Sequence, residues 1–176
     1  GNENAHAFAR YLAESGITIT SGMALGIDTS AHQGALSASG HTIAVIGTGP
    51  DRVYPASNYK LAHEISENGL IISEFAPGTE AKAGHFPKRN RLISAISLGT
   101  LVVEATIKSG SLITARLALE QGREVFAIPG SIHNPQSRGC HHLIKQGAKL
   151  VENAQDIIDE LSAMFSSLQI QGQSQE

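Results

Sequence analysis

The sequence predicts an α/β domain built on a mostly parallel, doubly wound sheet with helices on both faces. Three observations predict it. Short β-branched runs alternate with Ala-rich or amphipathic stretches along the chain. The runs are nearly continuously apolar, as strands covered on both faces require. Glycines at Gly16, Gly40, Gly69, Gly99, Gly122 and Gly147 follow the helix-like stretches, where a left-handed residue closes a helix at low steric cost.

In chain order, an amphipathic stretch over 4–15 precedes a strand at 17–20. A helix over 29–39 leads to a strand at 42–46, and a helix over 57–68 leads to a strand at 70–73. A helix over 88–98 precedes a strand at 100–103, and one over 111–121 precedes a strand at 124–128. A short strand at 149–151 and a helix over 154–165 close the domain, which is expected to span 4–165. The segment 166–176 is rich in Ser and Gln and is expected to be a disordered tail. A doubly wound domain ordinarily opens on a strand and a ligand-binding turn. This chain opens on a helix and begins at Gly1 rather than Met. A fragment lacking the first strand of its sheet is therefore expected.

Composition narrows the function classes. The chain has 176 residues, 41% of them hydrophobic and 16% charged, which suits one globular domain and excludes a polyelectrolyte. Its single cysteine, Cys140, excludes an internal disulfide framework and a Cys-rich zinc site. No apolar run is long enough to span a bilayer and no secretory signal is visible. A soluble cytoplasmic protein is expected. The formal net charge of −3 argues against indiscriminate nucleic-acid binding. The charge is segregated, however. Residues 81–119 carry Lys82, Lys88, Arg89, Arg91, Lys108 and Arg116 against one acid, Glu104, so this segment is +5 and the remainder −8. Such segregation gives a local positive field if the cations share a face, and none if they scatter.

In open parallel sheets, ligands bind beyond the carboxyl ends of the strands. Here those junctions are 21–28, 47–55, 74–91, 104–111 and 129–138, and most are rich in Gly, Ser and Thr. Glycines there allow close backbone approach, and helix N-termini favour phosphate. Tight turns alone would explain any one of these junctions; their recurrence favours phosphate binding. The known phosphate and catalytic signatures are absent. There is no G-x-x-x-x-G-K-[ST] pattern and no G-x-S-x-G elbow. Gly47-Thr48-Gly49 is a G-x-G, but Arg52 stands at the third glycine position, so a nicotinamide cofactor is not expected. Asp28 and His32 are either an acid–base pair or an N-cap with a helix-surface hydrogen bond. His133, Cys140, His141 and His142 do not have zinc spacing. No cofactor, metal or catalytic residue is assigned.

The segment 83–92 (AGHFPKRNRL) carries the most information. Phe86 adjoins an acid-free basic cluster, and Pro87 suits a helix start. Lys88, Arg89 and Arg91 near a helix N-terminus oppose the helix dipole, and an anionic partner would offset that cost. An aromatic ring beside Arg and Lys donors is what single-stranded nucleic acid requires, since phosphates meet the cations while a base stacks. Three or four engaged cations predict a salt slope of about −2 to −3.

Several ordered motifs resemble one family. They are SGMALGIDTSAH from Ser21, TIAVIGTGPDRVYP from Thr42, SEF from Ser73, FPKRNRLIS from Phe86, VVEATIKSGSLITA from Val102 and GREVFAIPG from Gly122. Together they are similar to the DNA-processing protein A (DprA/Smf) family over about residues 5–160. The resemblance implies an extended Rossmann-like domain that binds single-stranded DNA without strong sequence preference. It implies a role in natural transformation, protecting incoming strands and helping to load the RecA recombinase. It implies a homodimer with no established catalytic reaction. By resemblance, Ser21, Gly22 and Gly26 belong to a glycine-rich anion loop; Phe86, Lys88, Arg89, Asn90 and Arg91 to the FP-[RK]-RNR segment; and Ser109, Gly110 and Ser111 to an SGS turn. Two departures stand out. Leu25 occupies a position where many members carry a cation, and the family's first strand, with its own turn, precedes this chain. The runner-up is a nucleotide-processing enzyme, such as a phosphoribohydrolase, on a related scaffold. Its P-G-G-x-G-T-x-x-E type loop is absent; Pro77-Gly78-Thr79-Glu80 lacks the glycine pair.

Overall fold

The computed structural model describes residues 1–173. In chain order the elements are α1 (Asn2–Glu14), β1 (Ile19–Ser21), α2 (Ile27–Ser37), β2 (Thr42–Val45), α3 (Tyr59–Asn68), β3 (Leu70–Ile72), α4 (His85–Ala95), β4 (Gly99–Val102), α5 (Gly110–Glu120), β5 (Glu124–Ala127), α6 (Arg138–Lys145), β6 (Lys149–Leu150) and α7 (Ala154–Gln173). All strand pairs are parallel. The α/β alternation stands as expected.

Covered strands bury alternate residues on opposite faces. In β5, Val125 and Ala127 pack with Ala115 and Ala118 of α5 and Cys140 and Leu143 of α6. Phe126 faces the other way, onto Phe8 and Leu12 of α1 and Ile157 and Leu161 of α7. In the other half, Ala44 and Ile46 pack against Leu61, Ala62 and Ile65 of α3. Helix α1 buries Ala5, Phe8, Ala9, Leu12 and Ala13, the spacing of one helical face. It lies close against α2 because Gly34 has no side chain: a Cβ there would strike the His6 carbonyl oxygen and lie 3.0 Å from Ala9.

The strands divide into two sheets, β1-β2-β3 and β4-β5-β6. Among the described residues β1 pairs only with β2, and β4 only with β5. Their outer edges line one cleft of about 730 Å³ between the halves. Ile17, Ile19 and Leu101 all pack against the cluster beneath α1 and α7, so hydrophobic packing joins the halves where backbone pairing does not.

Several boundaries differ from expectation. Helix α4 starts at His85 rather than Lys88, so Phe86 and Pro87 both lie in its first turn. Helix α7 runs from Ala154 to Gln173, beyond the 154–165 expected for it. Once a helix is nucleated, Gln, Leu and Ile extend it at little cost. The rest of the expected tail, residues 174–176, lies outside the described residues. Gly16, Gly122 and Gly147 take positive φ as expected, but after α2 it is Ser39 that does so, with φ of 52°. Gly69 closes α3 in extended conformation, φ −154°. A Cβ there would strike the Thr42 carbonyl oxygen, so close strand approach explains that glycine.

Candidate nucleic-acid interface

The carboxyl ends of β1 and β4 open on the cleft between the sheets. Ser21, Arg89, Asn90, Ser109, Gly110 and Ser111 all line it. Three separate junctions therefore meet along one cleft. Ser109 caps α5, its Oγ accepting from the Ser111 N–H at 3.2 Å. Gly110 is exposed, and a Cβ built on it would meet nothing within 4 Å, so this helix start is open to a ligand. Lys108 is exposed beside it. Asp28, Glu104 and Thr114 line the same cleft; sequence reasoning placed none of them at a binding site, and Thr114 was not singled out at all. For Thr114 a signal existed: it lies one helical turn beyond Gly110 and Ser111. Deeper in, the walls turn apolar, with Phe8, Leu12, Ile17, Ile19, Leu101 and Phe126.

The β1–α2 loop is already supplied with an anion. The Gly22 and Ala24 N–H groups donate to Asp28 Oδ2 at 3.1 and 3.2 Å. The Gly22 carbonyl accepts from Arg89 Nη1 at 2.5 Å, and the Val45 carbonyl accepts from the same nitrogen at 2.7 Å. Arg89 is only 5% exposed. Burial lowers its pKa from the usual value, opposed by Asp28, yet a guanidinium stays charged at any ordinary pH. Arg89 thus staples α4 to the ends of β1 and β2. Gly22 makes room for it, since a Cβ there would lie 2.5 Å from the guanidinium. Gly26 is the N-cap of α2 with φ 86° and lies outside the cleft lining.

His32 completes this buried polar group. Its Nδ1 lies 2.7 Å from Thr42 Oγ1, and that hydroxyl donates to the Ile19 carbonyl at 2.8 Å. A hydroxyl has one proton, so Nδ1–H is the donor and Nε2 carries none. Among the described residues, Nε2 is buried without a partner. Burial lowers the His32 pKa to about 4; Asp28 raises it in opposition and Arg89 adds to the lowering. Neither residue of the Asp28–His32 pair is disposed as an acid–base couple: the carboxylate is held by backbone amides and the imidazole is sealed in the interior. Burial likewise pushes the Cys140 thiol up, and its Sγ donates to the Val102 carbonyl at 3.5 Å.

The other basic-segment residues divide between two surroundings. Arg91 Nη2 donates to both carboxylate oxygens of Glu74 on the surface. Lys88 is exposed and, among the described residues, forms no ion pair. Phe86 is partly buried over Gly47, and the Arg89 guanidinium carbon lies 5.5 Å from its ring centroid. His85 precedes it, with Nδ1–H donating to the Gly47 carbonyl at 3.0 Å and its ring stacked on Phe75 at 4.1 Å. Phe86, Lys88 and Arg91 thus lie outside the cleft lining.

A family model described as DNA recombination-mediator protein A matches residues 1–162. The chain belongs to this family. It is 52% identical over 147 residues to the DNA processing protein DprA of Streptococcus pneumoniae, covering 84% of this chain and 52% of that protein. It is also 52% identical over 155 residues to protein Smf of Escherichia coli, covering 88% of this chain and 41% of that one. The chain therefore spans about half the length of these DprA/Smf relatives. The solved S. pneumoniae DprA superposes with a TM-score of 0.84 at 47% identity, over 90% of this chain and 56% of that chain. Helicobacter pylori DprA, whose structure describes its mode of binding single-stranded DNA, superposes with a TM-score of 0.83 at 36% identity, over 92% and 74%. A molybdenum cofactor carrier protein of Chlamydomonas reinhardtii shares the fold alone, at 18% identity and a TM-score of 0.60. Within this DprA/Smf domain, the family-like R-N-R run is thus divided: Arg89 points inward, Asn90 lines the cleft, and Arg91 pairs along the surface.

Proposed function

We propose that this DprA/Smf domain binds single-stranded DNA without strong sequence preference along the rim formed by Ser21, Asn90, Ser109, Gly110 and Ser111, with Lys88 and Lys108 as the phosphate-facing cations. The convergence of three strand-to-helix junctions on one open rim carries the reading, and the family membership supports it. Arg89, Gly22 and Gly26 serve it by fixing the loop, and Arg91 through its tie to Glu74. In the cell, the domain acts in the cytoplasm as part of a homodimer that protects incoming strands during natural transformation and helps load RecA onto them. The function needs no chemical step.

The apolar depth of the cleft is unsuited to a polyanion. It suits a further parallel strand that pairs with the free edges of β1 and β4 and joins the two sheets, leaving the polar rim open.

Fluorescence anisotropy with labelled oligo-dT across a salt series tests the binding reading. With Lys88 and Lys108 engaged, log K falls with log salt at a slope of about −1.4. Absence of binding at low salt refutes it, and release of adenine from AMP replaces it with the enzyme reading.

A further inference from the structure

We propose that Tyr54 is the side chain on which a DNA base stacks, with Phe86 as its rigid support rather than the platform itself. This rests on the single-strand-binding reading above and adds to it a residue that nothing so far assigns. A stacking platform needs a free ring surface, a fixed orientation and nearby cations. Phe86 is poorly supplied with the first. Its ring lies against Gly47 so closely that a Cβ there would sit 3.1 Å away. Arg89 lies 5.5 Å from its centroid and Tyr54 5.6 Å. Tyr54 keeps 51% of its surface exposed. Its ring leans on Phe86 at an interplanar angle of 32°, a contact that fixes one side and leaves the rest to solvent.

The support is firm. Phe86 sits in the first turn of α4, and three residues on Arg89 locks that helix to the Gly22 and Val45 carbonyls. His85 locks it again through the Gly47 carbonyl. Tyr54 itself lies on the loop after β2, and that loop is pinned at Asp51, which accepts from the Gly78 N–H at 2.8 Å. Two exposed cations lie close to the rings in sequence. Lys88 is exposed two residues beyond Phe86. Arg52 is two residues before Tyr54, and its guanidinium pairs with Glu80 at 3.7 Å, with both side chains exposed. Such a surface pair is weak enough for a phosphate to displace. A ring held in place loses little freedom on binding, which favours Tyr over a longer side chain here.

Two strands of equal length and charge separate stacking from phosphate contact: oligo-dT and the same backbone made abasic. The parent binds both, oligo-dT more tightly. Tyr54→Ala weakens oligo-dT binding by about 5- to 150-fold, leaves the abasic strand unchanged and keeps the salt slope. Tyr54→Phe retains parental affinity, because the ring and not the hydroxyl carries the contact. With 2-aminopurine in place of one base, the parent alters its fluorescence on binding and Tyr54→Ala alters it less. If Tyr54→Ala matches the parent on oligo-dT while the parent binds well, Tyr54 is not the platform and the binding reading stands. A parent that binds neither strand overturns both.

Discussion

Replacing Arg89 by alanine separates a structural cation from a DNA ligand. The side chain is 5% exposed and donates to the carbonyls of Gly22 and Val45. Its removal leaves two carbonyls short of a donor and the Asp28 carboxylate without its nearest buried cation. A hydrogen bond from a charged group contributes about 1.5–3 kcal/mol, and a buried acceptor left without its donor costs about 1–3 kcal/mol. The two bonds share one nitrogen and overlap, so we expect a loss of about 3–5 kcal/mol rather than their sum. For a chain of this size each kcal/mol lowers Tm by about 2–4 °C, which predicts a fall of about 6–20 °C. Urea denaturation followed by circular dichroism reads the change as a lower midpoint at similar m-value. At low temperature, where the variant is folded, its salt slope for oligo-dT matches the parent's. A variant of parental stability with a flattened salt slope would show Arg89 to be a phosphate ligand and the staple to be wrong.

Gly22→Ala should act through the same contact, since its Cβ would lie 2.5 Å from the Arg89 guanidinium; the double variant with Arg89→Ala is then less destabilised than the sum of the two, measured as a double-mutant cycle in urea. Lys88→Ala and Lys108→Ala should each reduce the salt slope by about 0.7 and leave Tm unchanged, checked by anisotropy and thermal melts; an unaltered slope removes that lysine from the interface. The His32 pKa is lowered to about 4 in the fold against 6.5 for a free histidine. The unfolded chain therefore binds this proton first, and stability falls as pH drops through 6.5 toward 4, by about 2 kcal/mol at pH 5. Urea midpoints at pH 7.5 and pH 5 should show this loss in the parent and a smaller one in His32→Asn. Fusing a short β-branched strand ahead of Gly1 should raise Tm if the cleft between β1 and β4 accepts it, whereas a strand broken by proline should not.

The alternation of elements was legible because each strand is a short apolar run and each helix has a buried stripe of its own. The division into two sheets was not, because pairing partners are chosen by three-dimensional neighbours and leave no periodicity in a single run. The convergence of the Ser21, Asn90 and Ser109–Ser111 junctions was legible from one rule, that parallel strands end on a common side. The inward turn of Arg89 was not. Sequence reasoning took the unfavourable placement of cations near a helix start as a sign of an external anion. In the fold, the Gly22 and Val45 carbonyls and Asp28 answer Arg89, and Glu74 answers Arg91. Asp28 and Glu74 lie far from 88–91 in sequence, so a local charge count could not see them.

This internal pairing changes what the interface can be. The segment 81–119 has a formal charge of +5, but the cations nearest the rim are partly spent on the protein itself. Lys88 and Lys108 remain exposed and unpaired among the described residues. Two such contacts give a salt slope of about −1.4, shallower than the −2 to −3 expected from counting charges. Affinity must then come more from hydroxyl and amide donors at Ser109–Ser111 and from ring stacking, neither of which releases many counterions. Under the proposed single-strand reading, such a domain is expected to retain oligo-dT at salt concentrations where a purely electrostatic binder lets go, and to do so without base preference, since backbone donors and stacking surfaces accept any sequence; loss of binding at the same salt as a polylysine control refutes this.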